Sequence, residues 1–195
     1  NSASAVAYEL VKEYVGRKSI VVDVIDPMIE YLAKNYIDKT IGLIGTKQTI
    51  NSNIYRKKLD ELGINIRLNT LSTPLLVPLI EEGFKDQTIM SDAIQSYLNE
   101  SSLHNLDALV LGCTHYPLIK PQIKQFYSDA TVIIDSTDIV AQVVRNILKE
   151  RKLLAASSTS PKKKFYVSDY TPAFSALAHL FFKMPIILEK YPLWE

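Results

Sequence analysis

The sequence has little cysteine, glycine or net charge. One cysteine and six glycines stand among 195 residues, and the formal net charge is +1. A single cysteine cannot form an internal disulfide, and a balanced charge gives no strong attraction to nucleic acid or to a membrane surface. The glycines form neither a phosphate-binding loop nor a dinucleotide-binding fingerprint. These absences argue against a disulfide scaffold and against a nucleotide cofactor.

Metal ligands and long hydrophobic runs are also scarce. The three histidines, His104, His115 and His179, are too few and too scattered for a structural zinc site. No apolar run approaches the ~20 residues that span a bilayer, and the first residues lack the basic segment of a signal peptide. We therefore expect a cytoplasmic protein without metal or cofactor, and with neither a nucleic-acid nor a membrane partner.

Short apolar bursts alternate with longer helical periodicities, which is typical of α/β proteins with a parallel sheet. The segments predicted as strands are "SIVVDVID", "TIGLIG", "INIRL", "DALVLG", "TVIID", "FYVSD" and "PIILE". The regions predicted as helices are 2–16, 27–35, 49–62, 89–98 and 172–182, with a shorter helix or turn in "TPLLVPLIEEG". Another helix follows "TVIID", and the stretch "LLAASSTSPKKK" indicates a flexible loop.

Local signals add detail to two of these helices. Ile54, Tyr55, Leu59 and Leu62 recur at helical spacing, and we expect them to share the inner face of the helix at 49–62. Ser136 or Thr137 is the type of residue that caps a helix N-terminus, here the helix after "TVIID".

Cys113 directly follows the predicted strand "ALVLG". Ligands in open α/β sheets bind beyond the carboxyl ends of the strands, and a helix N-terminus can stabilise a thiolate against its usual pKa of about 8.5. Thr114 offers a hydroxyl, and His115 offers a group that titrates near neutrality. A lone cysteine is more often a packed apolar side chain, so the functional interpretation depends on these neighbours. It makes Cys113 and His115 candidate catalytic residues.

The segment "LVLGCTHYPLIKPQI" resembles the second cysteine motif of glutamate racemases, within the aspartate/glutamate racemase superfamily. "NSASA", "IGLIGTKQTINSNIY" and "TPLLVPLIEEG" resemble further segments of that family, in the expected order from residue 1 to about residue 140. The cysteine segment is highly specific, and the others support it. The resemblance implies two flavodoxin-like α/β lobes, the second inserted in the first. Residues 26–135 would form the second lobe, and residues 1–25 with 136–195 would be parts of the first.

The resemblance also implies an activity, which is cofactor-independent racemisation of glutamate by two opposed thiols, supplying D-glutamate for peptidoglycan. Cys113 would be the second catalytic cysteine, assisted by His115, and the enzyme would be a homodimer. The substrate-binding residues implied are Asn1, Ser2, Thr46, Thr49 and Thr114. Glu81 matches an accessory acidic residue, although an exposed carboxylate on a short helix is an equally good interpretation.

One departure from the family pattern is large. The family's Asp-Ser-Gly loop and its first catalytic cysteine have no counterpart here, and that cysteine would stand immediately before Asn1. We therefore interpret the 195 residues as part of a longer protein. Alone, they are expected to be inactive and to expose apolar surface where further strands would pack.

Three alternatives remain open at this point. The first is an aspartate or hydantoin racemase of the same superfamily, which a comparison of glutamate with aspartate would separate. The second is a thiol hydrolase with Cys113 as nucleophile and His115 as base, which an acyl adduct on Cys113 would support. The third is a non-catalytic binding fragment, which would bind ligand without turnover.

Overall fold

The computed structural model describes residues 1–83, 87–127, 129–155, 161–182 and 184–192. Within these ranges the helices are α1 (Ser2–Val15), α2 (Asp26–Asn35), α3 (Lys47–Asn51), α4 (Ile54–Glu61), α5 (Leu76–Glu81), α6 (Gln87–Leu98), α7 (Lys120–Phe126), α8 (Ser136–Glu150) and α9 (Pro172–Phe182). The strands are β1 (Thr40–Gly45), β2 (Arg67–Ser72), β3 (Ala108–Gly112), β4 (Val132–Asp135), β5 (Phe165–Val167) and β6 (Leu188–Lys190). Short 3₁₀ turns cover Gly16–Lys18, Ser101–Leu103 and Tyr116–Ile119.

Four strands form a parallel sheet in the order β2-β1-β3-β4. β1 lies inside this sheet, with Thr40 paired to Arg67 on one side and Ile41 paired to Ala108 on the other. β5 and β6 form a separate parallel pair. The predicted α/β class is therefore confirmed. Because the four strands are parallel, their carboxyl ends meet at one edge of the sheet, where α/β proteins bind ligands.

Successive residues of β3 enter cores on opposite faces of the sheet, because side chains alternate along a strand. Leu109 and Leu111 belong to the core that also contains residues of α5, α6 and α7. Ala108 and Val110 belong to the core that contains residues of α2 and α4. Every residue of β3 is buried, as expected for a central parallel strand covered on both faces. Cys113 therefore follows a firmly held strand.

The strand predicted at residues 19–26 is not formed. A strand needs a neighbour for its backbone N–H and C=O groups, and within the described ranges no strand lies beside this segment. Instead the carboxylate of Asp23 accepts the backbone N–H of Ile25 at 3.0 Å and that of Asp26 at 3.1 Å. These bonds turn the chain into α2.

The helix predicted at 49–62 is divided into α3 and α4. Asn53 lies between them with φ of 55°, a left-handed conformation that asparagine tolerates better than most residues and that interrupts a helix. Tyr55 and Leu59 are buried as predicted, whereas Leu62 is 53% exposed. Leu62 escapes burial because α4 has already ended at Glu61.

The cap of α8 also differs from the prediction of Ser136 or Thr137. The residue that caps the helix is Asp135, whose carboxylate accepts the backbone N–H of Thr137 at 2.9 Å. The same carboxylate binds Lys120 Nζ at 2.6 Å. Asp135 ends β4, so its side chain is already held beside the first turn of the helix.

Other predicted segments differ in their bounds or in their coverage. The strand predicted at 64–68 begins only at Arg67, because Ile66 N–H bonds to the carbonyl oxygen of Ile64 in a tight turn. The flexible loop predicted at 153–164 falls partly on residues 156–160, which lie outside the described residues.

α1 presents apolar side chains to solvent: Val6, Leu10 and Tyr14 are all exposed, and the helix contains no buried residue. α8 also contains no buried residue, but its large apolar side chains are half-buried. Apolar surface of this kind favours association with other surfaces. Across the described part of the chain, no helix combines the length and the apolar character needed to cross a membrane.

Candidate active site

Cys113 is buried at the carboxyl end of β3, directly after Gly112. Gly112 pairs with Gly45 at the end of β1. A Cβ atom on Gly112 would lie 2.9 Å from the carbonyl oxygen of Ile44 and 2.8 Å from a methyl carbon of Leu43. Only glycine fits such a close approach of two backbones. The two glycines therefore bring the strand ends together and set the position of the thiol.

A chain of polar contacts leads from the thiol to a carboxylate. Cys113 Sγ lies 3.8 Å from His115 Nδ1, and His115 Nε2 lies 3.0 Å from Glu81 Oε1. The ring of Phe181, from α9, meets the imidazole edge-on with 5.8 Å between ring centroids. We call Cys113, His115 and Glu81 the thiol relay. An imidazole that bridges a thiol and a carboxylate can accept and return a proton.

Three hydroxyl groups form a second cluster at the carboxyl end of β1. Ser2 Oγ lies 2.7 Å from Thr46 Oγ1 and 3.2 Å from Thr49 Oγ1, and the two threonine oxygens are 3.1 Å apart. Thr46 also caps α3 by accepting the backbone N–H of Thr49 at 3.2 Å. We call Ser2, Thr46 and Thr49 the hydroxyl cluster. It holds the start of α1 against the loop after β1.

The amide of Asn1 extends this cluster. The Tyr55 hydroxyl donates to Asn1 Oδ1 at 2.6 Å. Asn1 Nδ2 is buried and has no hydrogen-bond partner among the described residues. Because an unpaired buried donor costs free energy, this nitrogen is suited to bind the acceptor of a ligand.

The thiol relay and the hydroxyl cluster lie at adjacent strand ends. A Cβ atom on Gly45 would lie 3.1 Å from the carbonyl oxygen of Gly112 and 3.4 Å from Thr49 Cβ. The predicted site residues that the structure brings to this edge of the sheet are Asn1, Ser2, Thr46, Thr49, Glu81, Cys113 and His115. Thr114 follows Cys113 and is exposed.

Three residues beside the site are not predicted by the sequence patterns. Asp23 is buried, and this burial raises the pKa of its carboxyl; it interacts electrostatically with Tyr55. The hydroxyl of Tyr55 and the side chain of Thr73 were also not assigned to the site. A charged residue within the apolar run "SIVVDVID" was the available signal for Asp23. Sequence spacing gave no comparable signal for the two hydroxyls.

Two cavities of the described structure lie away from the thiol. One of about 1000 Å³ is lined mainly by residues of α5, α6 and α7, and one of about 550 Å³ lies between α2 and α8. Neither is lined by Cys113. In the same ranges, no group of three or more His, Cys, Asp and Glu residues is arranged to hold a metal ion.

Burial raises the pKa of the Cys113 thiol, and backbone hydrogen bonds from His115 and Tyr116 offset this only in part. The sequence suggested the opposite direction, through a helix N-terminus next to the thiol. The structure instead places the 3₁₀ turn Tyr116–Ile119 after the cysteine, and α7 begins only at Lys120. The thiol therefore needs a neighbouring base to act as a thiolate near neutral pH.

We expect iodoacetamide to alkylate Cys113 more slowly than a free cysteine at about pH 7, because only the thiolate reacts. The rate should rise about tenfold per pH unit up to at least about pH 9, since the thiolate fraction rises that steeply below the pKa. Intact mass is a direct readout, because the chain has one cysteine. The urea-unfolded protein is the control. A rate that levels off below about pH 8 would contradict the raised pKa.

Comparison with known proteins connects this site to a family. A family model described as Asp/Glu/Hydantoin racemase matches residues 4–144. The glutamate racemase of Chlorobium phaeobacteroides is 34% identical over 93% of this chain and 66% of its own length. That of Persephonella marina is 35% identical over 99% of this chain and 71% of its own length. The chain thus spans about two thirds of the length of the curated relatives it matches.

Solved structures agree with these matches. Glutamate racemase isoform RacE1 from Bacillus anthracis has a TM-score of 0.88 at 28% identity, covering 98% of this chain and 71% of that chain. Glutamate racemase from Francisella tularensis, solved in complex with D-glutamate, has a TM-score of 0.83 at 32% identity. The match covers 97% of this chain and 70% of that chain. Because the family model matches residues 4–144, which is most of the chain, the chain belongs to the Asp/Glu/hydantoin racemase family.

Proposed function

We propose that Cys113 is an acid–base thiol in the racemisation of glutamate. The observation that carries this proposal is the thiol relay, which lies at the same edge of the sheet as the hydroxyl cluster. The relatives named glutamate racemase, one of them solved with D-glutamate, support glutamate as the substrate. The aspartate and hydantoin racemases covered by the same family description remain the alternatives.

Racemisation removes the α-proton from one face of the α-carbon and returns a proton to the other. Because burial raises the pKa of the Cys113 thiol, the thiol must pass its proton to a neighbour before it can act as a base. In the proposed mechanism His115 takes that proton, and Glu81 orients and stabilises the imidazolium. The thiolate then removes the α-proton, and we assign this step to the L-enantiomer.

The hydroxyl cluster and Asn1 are proposed to hold the substrate. Hydroxyl groups can donate to carboxylate oxygens or accept from an ammonium group, and Asn1 Nδ2 is a buried donor that still lacks a partner among the described residues. Thr114, exposed beside the thiol, would bind the same substrate. Donors already in place would stabilise charge that develops on the substrate without rearranging.

A two-thiol reaction needs a thiol on each face of the α-carbon, and these 195 residues carry only Cys113. The proposal therefore assigns Cys113 to one face and leaves the other face to a thiol that these residues do not contain. It also groups residues 26–135 as one α/β lobe, and residues 1–25 with 136–195 as parts of another. The site would lie between the lobes.

We further propose the biological setting that follows from the activity. The enzyme would work without a cofactor, as a cytoplasmic homodimer, and its product D-glutamate would be used to build peptidoglycan. The relatives that support this setting are bacterial glutamate racemases.

Exchange of the α-proton of glutamate for deuterium in D₂O, measured on protein that also supplies the opposite thiol, tests the proposed function. We expect exchange from glutamate to exceed exchange from aspartate or a hydantoin. Protection of Cys113 from iodoacetamide by glutamate gives a second readout, one that does not need the opposite thiol. Exchange from aspartate that is faster than exchange from glutamate would make aspartate the substrate in place of glutamate. The proposal would be contradicted if none of the three compounds gave exchange and none of them protected Cys113.

Replacing Tyr55 with phenylalanine is expected to raise KM for glutamate about fivefold with little change in kcat, the effect of one lost hydrogen bond. The variant removes the donor to Asn1 Oδ1. The Asn1 amide can then rotate, and Nδ2 no longer points at the substrate as proposed. Steady-state kinetics with both enantiomers measure the effect. Tyr127→Phe is the matched control, since its hydroxyl donates to the Leu103 carbonyl oxygen at 3.1 Å. An equal KM for Tyr55→Phe and Tyr127→Phe would remove Tyr55 from the binding site.

A further inference from the structure

Tyr116 and Thr73 form a hydrogen-bonded pair beneath the Cys113 loop, and both residues are 0% exposed. Tyr116 Oη lies 2.5 Å from Thr73 Oγ1 and donates to the Thr73 carbonyl oxygen at 3.3 Å. Thr73 Oγ1 in turn donates to the carbonyl oxygen of Gly45 at 3.3 Å. A continuous chain of hydrogen bonds therefore runs from the loop after β3, over the end of β2, to the end of β1.

Each end of this chain is tied to one half of the candidate site. Tyr116 N–H donates to the carbonyl oxygen of Cys113 at 3.2 Å, which closes the turn that carries the thiol. Gly45 directly precedes Thr46, a member of the hydroxyl cluster. A shift of Tyr116 would therefore change the spacing between the thiol and that cluster.

Packing alone does not account for the two hydroxyl groups. The environment of Tyr116 is otherwise the apolar core that holds Leu76 and Ile80 of α5 and Ile119, where phenylalanine would serve as well. A hydroxyl buried in such a core is costly unless it is fully hydrogen-bonded, and a bonded pair then fixes one arrangement of the elements it joins. The pair joins the strand ends that carry the candidate site.

We propose that Thr73 and Tyr116 are positioning residues that set the distance between Cys113 and the hydroxyl cluster. The inference rests on the proposed function, since this distance matters to catalysis only if one substrate contacts both groups. The residues act through the loop that they hold and do not contact the substrate themselves.

The test compares Tyr116→Phe, Thr73→Val and Thr73→Ser with Tyr127→Phe in the full chain. Tyr127→Phe also removes a tyrosine hydroxyl, but its partner Leu103 precedes β3, at the opposite edge of the sheet. Four quantities are measured for each variant: kcat and KM for α-proton exchange, the iodoacetamide alkylation rate of Cys113 across pH, and the thermal midpoint. The thermal midpoint separates a loss of stability from a displaced thiol.

We expect Tyr116→Phe and Thr73→Val to lower kcat about ten- to a hundredfold, because a small misplacement of a reacting group is costly. Alkylation of Cys113 should become several-fold faster, since the turn that buries the thiol is loosened. Thr73→Ser keeps the hydroxyl and should restore both values towards those of the unchanged protein. Tyr127→Phe should lower the thermal midpoint without moving kcat or the alkylation rate.

Two results separate failure of this inference from failure of the proposed function. Kinetic and alkylation values for Tyr116→Phe equal to those for Tyr127→Phe would overturn the positioning role, even in an active racemase. Absence of both exchange and protection of Cys113 by glutamate in the unchanged protein would overturn the proposed function, while the alkylation rates would still show whether the pair positions the thiol. If Thr73→Val does not fold, Tyr116→Phe and Thr73→Ser decide the question.

Discussion

Replacing Cys113 with alanine is expected to lower α-proton exchange from glutamate by about 10³-fold or more, the contribution of an acid–base group at the reacting atom. The proposed mechanism gives the proton transfer at the α-carbon to the thiol, while His115 takes the proton of the thiol and Glu81 stabilises the imidazolium. Exchange is followed by NMR in D₂O, separately for L- and D-glutamate. The loss should affect kcat far more than KM, because the substrate is held by other groups.

Cys113→Ser is the companion variant. It keeps the size of the side chain at a buried position but replaces the thiol with a hydroxyl of much higher pKa, so exchange should also be lost. The thermal midpoints of both variants should stay close to that of the unchanged protein. Exchange that survives in either variant would remove Cys113 from the chemistry. Its role would then be that of a packed apolar side chain.

Replacing Gly112 with alanine is expected to destabilise the fold by about 3 kcal/mol, the cost of overpacking a rigid core position. The new Cβ atom would lie 2.9 Å from the carbonyl oxygen of Ile44. That oxygen belongs to the interior strand β1 and cannot move without disturbing the sheet. Urea unfolding, monitored by circular dichroism, measures the change in free energy of unfolding. We also expect weaker exchange activity, since Cys113 follows the displaced strand end.

Two other glycines serve as controls for this effect. An added Cβ on Gly42 would meet the ends of the Leu106 and Leu109 side chains, which can move aside more easily than backbone. Gly63 has φ of 64° and open space around it, so Gly63→Ala should cost about 1 kcal/mol, from the backbone conformation alone. A loss for Gly112→Ala no larger than for Gly63→Ala would contradict the close approach of β1 and β3.

The fold class and the position of the thiol could be predicted from local patterns. The apolar bursts "TIGLIG" and "DALVLG" became β1 and β3, because a central parallel strand is buried on both faces and shows as a continuous hydrophobic run. Cys113 was then placed at a strand end by its spacing alone. The family resemblance, read from the cysteine segment, is confirmed by the family model and the relatives.

Interactions between distant segments could not be predicted in this way. Ser2 and Thr46 are 44 residues apart in sequence, and their contact depends on how α1 packs against the end of β1. The segment "SIVVDVID" has strand-like composition but no neighbouring strand among the described residues, and composition carries no information about partners. Similarly, nothing in the spacing of Thr73 and Tyr116 indicates that they meet.

The interior place of β1 has a consequence for synthesis of the chain. β1 is complete at residue 45, whereas its second neighbour begins at Ala108, and Thr40 and Asp107 bond across 67 residues. Until β3 leaves the ribosome, one edge of the apolar strand "TIGLIG" has no partner, and an open edge of this kind can pair with another chain. Nascent chains that pause between these two strands are therefore the species most exposed to aggregation, and chaperones would be needed there most.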